Sequence, residues 1–118
     1  MKLNPILAID GYKVSHRVQY PQGTTKVYSN FTPRSDRFFQ SPVADGKLVF
    51  FGLQGFLKWF MVDLFNDAFF ARPEEEVVNE YKEVMDSYLG KDSVAVDHIR
   101  DLHRLGYLPL HIKSLDEG

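Results

Sequence analysis

Leu53-Gln54-Gly55-Phe56-Leu57-Lys58-Trp59-Phe60-Met61-Val62-Asp63-Leu64-Phe65 is where the periodicity of the chain changes. Leu53, Phe56, Leu57, Phe60, Leu64 and Phe65 fall at helical spacing and predict a wide apolar stripe, which Trp59 and Met61 widen further. Gln54, Lys58, Asp63, Asn66 and Asp67 interrupt the apolar run, so it is too polar for a membrane span. Downstream, Pro73 at a first-turn position and Glu74-Glu75-Glu76 beside the positive helix end predict a second helix. Val77, Tyr81, Val84 and Tyr88 would form its apolar face, and Gly90 its stop. Asp92 or Ser93 is placed to cap a third helix running through Ile99, Leu102 and Leu105 to Gly106.

On either side of these helices the period is two. Val27, Ser29 and Phe31 alternate with Tyr28, Asn30 and Thr32, which predicts a strand over 26–32. A second, short strand is expected over 47–51. A final one is expected where Leu108, Leu110 and Ile112 alternate with Pro109, His111 and Lys113. Residues 33–46, with two prolines and few aliphatics, read as a surface loop. Asp10 is a good N-cap for a short helix toward Gln19, ended by Pro21-Gln22-Gly23. The fold class expected is therefore α+β: a small sheet of about three strands packed with three to four helices. The edges of such a sheet would need covering, so the chain is expected to be the N-terminal part of a larger two-domain protein.

Composition narrows the function. The 118 residues are one domain's worth, 44% hydrophobic and 25% charged, with a net charge of −2. That charge argues against a nucleic-acid partner. Without cysteine there is no disulfide, thiol nucleophile or zinc–thiolate site, and a cytoplasmic location is expected. Met1-Lys2-Leu3-Asn4-Pro5 carries no long apolar run, so no signal peptide is expected. Ten Phe, six Tyr and one Trp are many for this length. Phe38-Phe39, Phe50-Phe51 and Phe69-Phe70 come as neighbours, which do not share a face in a regular helix or strand. A covering partner, another domain or another subunit, is expected.

Few residues offer chemistry. Asp10 and Tyr12 read either as a cap with a packed ring or as a ring presented to a planar ligand beside an orienting acid. Spacing alone favours the cap. Lys13, His16, Lys26 and Arg34 read as solvated bases, or, for Arg34, as a bidentate phosphate ligand fixed just after a strand. His98 and His103 are five apart and no carboxylate–histidine cluster has ligand spacing, so no metal site is expected. Glu74-Glu75-Glu76 reads as helix-end electrostatics. Gly52-Leu53-Gln54-Gly55 either turns helix N–H groups toward an anion or permits close packing.

Several separated blocks resemble one family in order and spacing. They are Asp10-Gly11-Tyr12-Lys13-Val14-Ser15-His16, Gln19-Tyr20-Pro21, Gly23-Thr24-Thr25-Lys26-Val27-Tyr28-Ser29, Arg34, Val49-Phe50-Phe51-Gly52-Leu53-Gln54, Gly106-Tyr107-Leu108-Pro109-Leu110, Ile112-Lys113 and Glu117-Gly118. They are similar to the N-terminal region of the nicotinamide phosphoribosyltransferases, and His16 with the block from Tyr20 to Ser29 resembles that branch more than its nicotinate-specific relatives.

The resemblance implies an enzyme of NAD salvage that joins nicotinamide to 5-phosphoribosyl-1-pyrophosphate, giving nicotinamide mononucleotide and pyrophosphate. It implies a homodimer with a site at the subunit boundary, Mg2+ accompanying the phosphoribosyl substrate, and coupling to ATP. It also implies substrate-binding roles for three residues. Tyr12 would stack on nicotinamide across the subunit boundary, Asp10 would lie beside it, and Arg34 would approach the phosphate-bearing end of the substrate. Residues 1–118 would be the N-terminal domain, with the catalytic α/β barrel, its second stacking aromatic and its catalytic histidine lying elsewhere. No catalytic residue, metal or cofactor is then expected in this piece, and it is expected to be inactive alone. Gly11 stands where the family commonly has Ser and predicts a looser turn, and Pro33 before Arg34 holds Thr32 extended. Two other readings are a nicotinate-specific transferase and a non-catalytic dimerisation or regulatory module.

Overall fold

Helix begins early in the chain. In the computed structural model, which describes residues 3–41 and 45–117, single turns of 3-10 helix form at Pro5–Leu7, Gly11–Ser15 and Arg17–Gln19. The expected short helix toward Gln19 is therefore two tight turns, not one α-helix. Of the expected loop at 33–46, positions 42–44 lie outside the described residues, as do the first two residues and Gly118.

The apolar stripe from Leu53 to Phe65 does form a helix. It starts as α1 (Leu53–Phe56) and continues in wider, π-helical windings over Leu57–Leu64 and Asn66–Phe70. Gly52, at φ +88, turns the chain into it. The widening is visible in the ladder, where Ala71 N–H donates to the Asn66 carbonyl, five residues back, at 2.9 Å. It also redirects the rings. Phe60, Phe65 and Phe70, five apart, come into contact, with centroids 5.8 Å and 6.3 Å apart. Phe69 and Phe70, expected on different faces, meet edge to face at 5.0 Å.

After Pro73, α2 (Glu74–Leu89) packs its inner face on these rings. The buried residues are Val77, Val78, Tyr81 and Met85. The expected face was Val77, Tyr81, Val84 and Tyr88, so the helix is rotated and Val84 and Tyr88 are exposed. The reason is tertiary: Val77, Val78, Tyr81 and Met85 join one buried cluster with Phe65, Phe69 and Ile99 of α3 (Asp97–Leu105). Gly90, at φ +101, ends α2, and Gly106, at φ +83, ends α3, as their positions predict.

Neither Asp92 nor Ser93 caps α3. Both close the end of α2 instead: Asp92 N–H donates to Asp86 Oδ1 at 2.9 Å, and Ser93 Oγ to the Leu89 carbonyl at 3.0 Å. Lys82 joins Asp86 and Asp92 in one ion-pair cluster.

The expected sheet is not found, and the α+β class is corrected: among the described residues there is no strand. Extended backbone becomes a strand only when a neighbour takes its N–H and C=O groups. No backbone hydrogen bond joins segments 26–32, 47–51 and 108–112 to one another among the described residues. In the last, Leu110 N–H folds back on the Leu108 carbonyl at 2.8 Å, a tight turn about Pro109. A proline also has no N–H to give a ladder.

The core is one helical cluster of Phe65, Phe69, Val77, Val78, Tyr81, Met85 and Ile99. Ile6, Leu7 and Val14 pack against it, which docks the N-terminal turns onto α2. Asn4, buried, fixes their start by donating Nδ2–H to the Val77 carbonyl at 3.2 Å.

Candidate functional site

Asp10 enters the second turn in extended conformation, φ −69 and ψ 130. Its carbonyl accepts Lys13 N–H at 2.9 Å, and the pattern repeats as His16 N–H bonds Lys13 and Gln19 N–H bonds His16. Successive i-to-i+3 bonds make a tight 3-10 rod. Tyr20 is then extended (ψ 141), as expected before Pro21. The cap reading of Asp10 holds only for its backbone. Its side chain makes no capping bond and faces Lys13 Nζ at 3.9 Å, both side chains exposed.

Tyr12 projects outward, 66% exposed. His16 meets its ring edge-on at 5.8 Å between centroids. Lys13 Nζ lies 5.8 Å from the ring centroid, within reach of a weak cation–π contact. The phenol is thus presented, not packed, with an acid and two bases on the same turn. Two concavities flank this turn. A shallow one of about 440 Å3 is lined by Leu7, Ala8, Ile9, Asp10 and Lys13. A groove of about 360 Å3 runs between the turn and the end of α2, with Tyr12, Gly11, Arg17, Tyr88 and His98 in its walls.

Arg34 lies in the exposed stretch between Gln19 and α1, and among the described residues no hydrogen bond or ion pair joins it to Asp10 or Tyr12. Of the three expected substrate-binding residues, Asp10 and Tyr12 share this turn, and Arg34 is not bonded to it among the described residues.

Residues that spacing did not single out complete the groove. Arg17 acts electrostatically on both Tyr81 and His98. His98 meets Tyr81 edge-on at 6.0 Å, and its Nδ1 is buried without a partner among the described residues. Burial first, and then the Arg17 charge, push the imidazole below its ordinary pKa, while Asp97 and Asp101 oppose the shift. No local signal joins positions 12, 17, 88 and 98, because only the docking of the first turns on α2 makes them neighbours.

Elsewhere the charges are structural. Glu74 pairs with Arg100 and Arg104, and Glu75 with Arg100. Arg72 reaches Glu76 and Glu80. Hydrogen bonds to Arg104, and then to Arg100, hold Glu74 below its ordinary pKa. The triple glutamate therefore serves α3 as well as the helix end. The N–H of Gln54 near the start of α1 does receive an anion, Glu117 Oε1 at 2.9 Å. Among the described residues no three His, Asp or Glu side chains group as a metal would require. No helix among them is long and apolar enough to cross a membrane.

Against known families, residues 4–112 match the model of the nicotinamide phosphoribosyltransferase N-terminal domain. The chain belongs to that family. It is also 52% identical over 118 residues to a protein of Acinetobacter baylyi named nicotinamide phosphoribosyltransferase, an alignment covering 99% of this chain and 23% of that relative. The chain thus spans about a quarter of the length of the curated relative it matches. No solved structure matches it.

Proposed function

We propose that this chain supplies the nicotinamide-facing edge of a nicotinamide phosphoribosyltransferase, completed by a C-terminal α/β barrel and a second subunit of a cytoplasmic homodimer. The observation that carries the reading is the outward phenol of Tyr12, held on a tight turn beside Asp10. The reaction joins the ring nitrogen of nicotinamide to C1 of 5-phosphoribosyl-1-pyrophosphate. As the N–C bond forms the C–O bond breaks, and its electron pair leaves with pyrophosphate. Nicotinamide begins neutral and ends as a pyridinium cation. An aromatic face attracts a cation by about 0.5–2 kcal/mol, so Tyr12 favours the charged, late side of the reaction over the ground state. The Asp10 carboxylate on the same turn adds in the same direction. Arg34 is assigned to the phosphate-bearing end, a role its exposed position leaves free to form when the site closes. Mg2+ accompanies the phosphoribosyl substrate, and no described residue of this chain is assigned to it.

The test is substitution in the full-length enzyme. Tyr12→Ala lowers kcat/KM for nicotinamide by about tenfold or more, the scale of one lost stacking contact with its cation term. Tyr12→Phe keeps the ring and falls by only a few-fold. An unchanged kcat/KM in Tyr12→Ala overturns the role of Tyr12.

A further inference from the structure

We propose that Tyr88, in the last turn of α2, is the positioning residue for the Asp10–Tyr12 turn and acts through Gly11; this rests on the reading that Tyr12 faces nicotinamide. A Cβ on Gly11 would lie 2.6 Å from Tyr88 Oη, 2.7 Å from Cε1 and 2.8 Å from Cζ. Those distances are shorter than any real contact, so the phenol end of Tyr88 occupies the space that a side chain at position 11 would take. The backbone of Gly11 is not left-handed. A side chain at this position would therefore have to move the exposed ring of Tyr88, while the turn itself would accept one.

The rest of the turn is held lightly. Among the described residues, every hydrogen bond and ion pair made by residues 10–19 reaches at most four residues along the chain. Val14 packs on the core, which anchors the end of the turn beyond Tyr12. The Tyr88–Gly11 contact anchors the end before it. Tyr88 is itself 64% exposed, so it adds little to the core and leaves α2 intact when altered. Its placement in the same groove wall as Tyr12 gives it a use that burial does not.

A double-substitution cycle in the full-length enzyme tests this, with thermal unfolding and steady-state kinetics as the two readouts. Gly11→Ala displaces the exposed Tyr88 ring from the turn and lowers kcat/KM for nicotinamide by several-fold, with the unfolding temperature little moved. Tyr88→Ala lowers it by several-fold with the unfolding temperature little moved, and Tyr88→Phe restores most of the loss. The combined Gly11→Ala/Tyr88→Ala enzyme loses no more than either single one, because both substitutions remove the same contact. The KM for 5-phosphoribosyl-1-pyrophosphate stays the same in all four. Losses that simply multiply in the combined enzyme, or a Gly11→Ala enzyme within twofold of the unsubstituted one, overturn the proposal. If Tyr12→Ala proves damaging while positions 11 and 88 act independently, only the positioning role fails. If Tyr12→Ala is silent, the nicotinamide reading fails and takes the positioning role with it.

Discussion

The amide of Asn4 works in two directions. Its Oδ1 accepts the N–H of Ile6 at 3.4 Å and so caps the first turn, while its Nδ2 donates to the Val77 carbonyl on α2, with the side chain 2% exposed. A buried amide satisfied at both ends is expensive to disturb, since a lost partner leaves a desolvated group behind. Asn4→Ala is expected to destabilise the protein by about 1–2 kcal/mol. Asn4→Asp keeps the cap acceptor but loses the donor, and adds a negative charge where Asn4 now helps to hold the Glu80 carboxyl below its ordinary pKa. It is expected to cost at least as much as the alanine, and urea unfolding of the two variants measures the order. At this scale the sequence was only partly legible. Asp10 is a strong N-cap residue type, yet its side chain caps nothing, while Asn4, six positions earlier, does the capping unnoticed. Gly11 predicts looseness in isolation and turns out to be a tight contact, because the partner that fills its missing side chain is 77 residues away (88 − 11).

Helices were the most legible elements, because their signals are local. Gly52, Pro73, Gly90 and Gly106 punctuate the chain where the structure turns. Which face of α2 points inward was not legible, since Val84 and Met85 both continue an apolar stripe from Tyr81 and only the packing of α3 chooses between them. That junction carries a pH dependence. The folded pKa of His98 lies below its ordinary value of 6.5, chiefly through burial and then through Arg17. The unfolded chain therefore takes up the proton first as pH falls, binds more protons than the folded one in that window, and stability drops. The loss begins near the ordinary value and is complete below the folded one. Glu74, Glu75, Glu80 and Asp86, all lowered chiefly by hydrogen bonds to Arg104, Arg100, Arg72 and Lys82 respectively, weaken the fold only in more acid solution, below their ordinary values of 4.5 and 3.8. The urea midpoint is expected to fall between pH 7 and pH 5, and His98→Leu to flatten that fall. A slope unchanged in the leucine variant would place the acid sensitivity elsewhere.

The radius of gyration is 17.7 Å, against roughly 13–14 Å for a compact chain of this length. Part of the chain read as strand is exposed and outside any element. Residues 24–36 carry no helix or strand, and Tyr28 and Phe31 within them are 86% and 92% exposed. Phe38, Phe39 and Phe51 are exposed as well. Alternation and β-forming residues identify a segment suited to a sheet. They cannot supply the neighbour, because strand pairing is a long-range choice and the pairing groups are not found among the described residues. The helical half folds on its own pattern; the aromatic half waits on whatever covers it. With a chain that spans 23% of its relative's length, the cover proposed is the barrel of the same enzyme and the second subunit. Limited trypsin digestion separates the two halves. In the 118-residue chain, cleavage is expected first after Lys26, Arg34, Arg37 and Lys47, which lie on exposed backbone outside the helices. Lys82 and Arg100 lie within α2 and α3 in ion pairs and should resist. In the full-length enzyme the first group should resist too, because the aromatic half then lies against its cover. Equal cleavage of the first group in both proteins would mean that nothing in the enzyme covers that half, and the shared-site arrangement would fail with it.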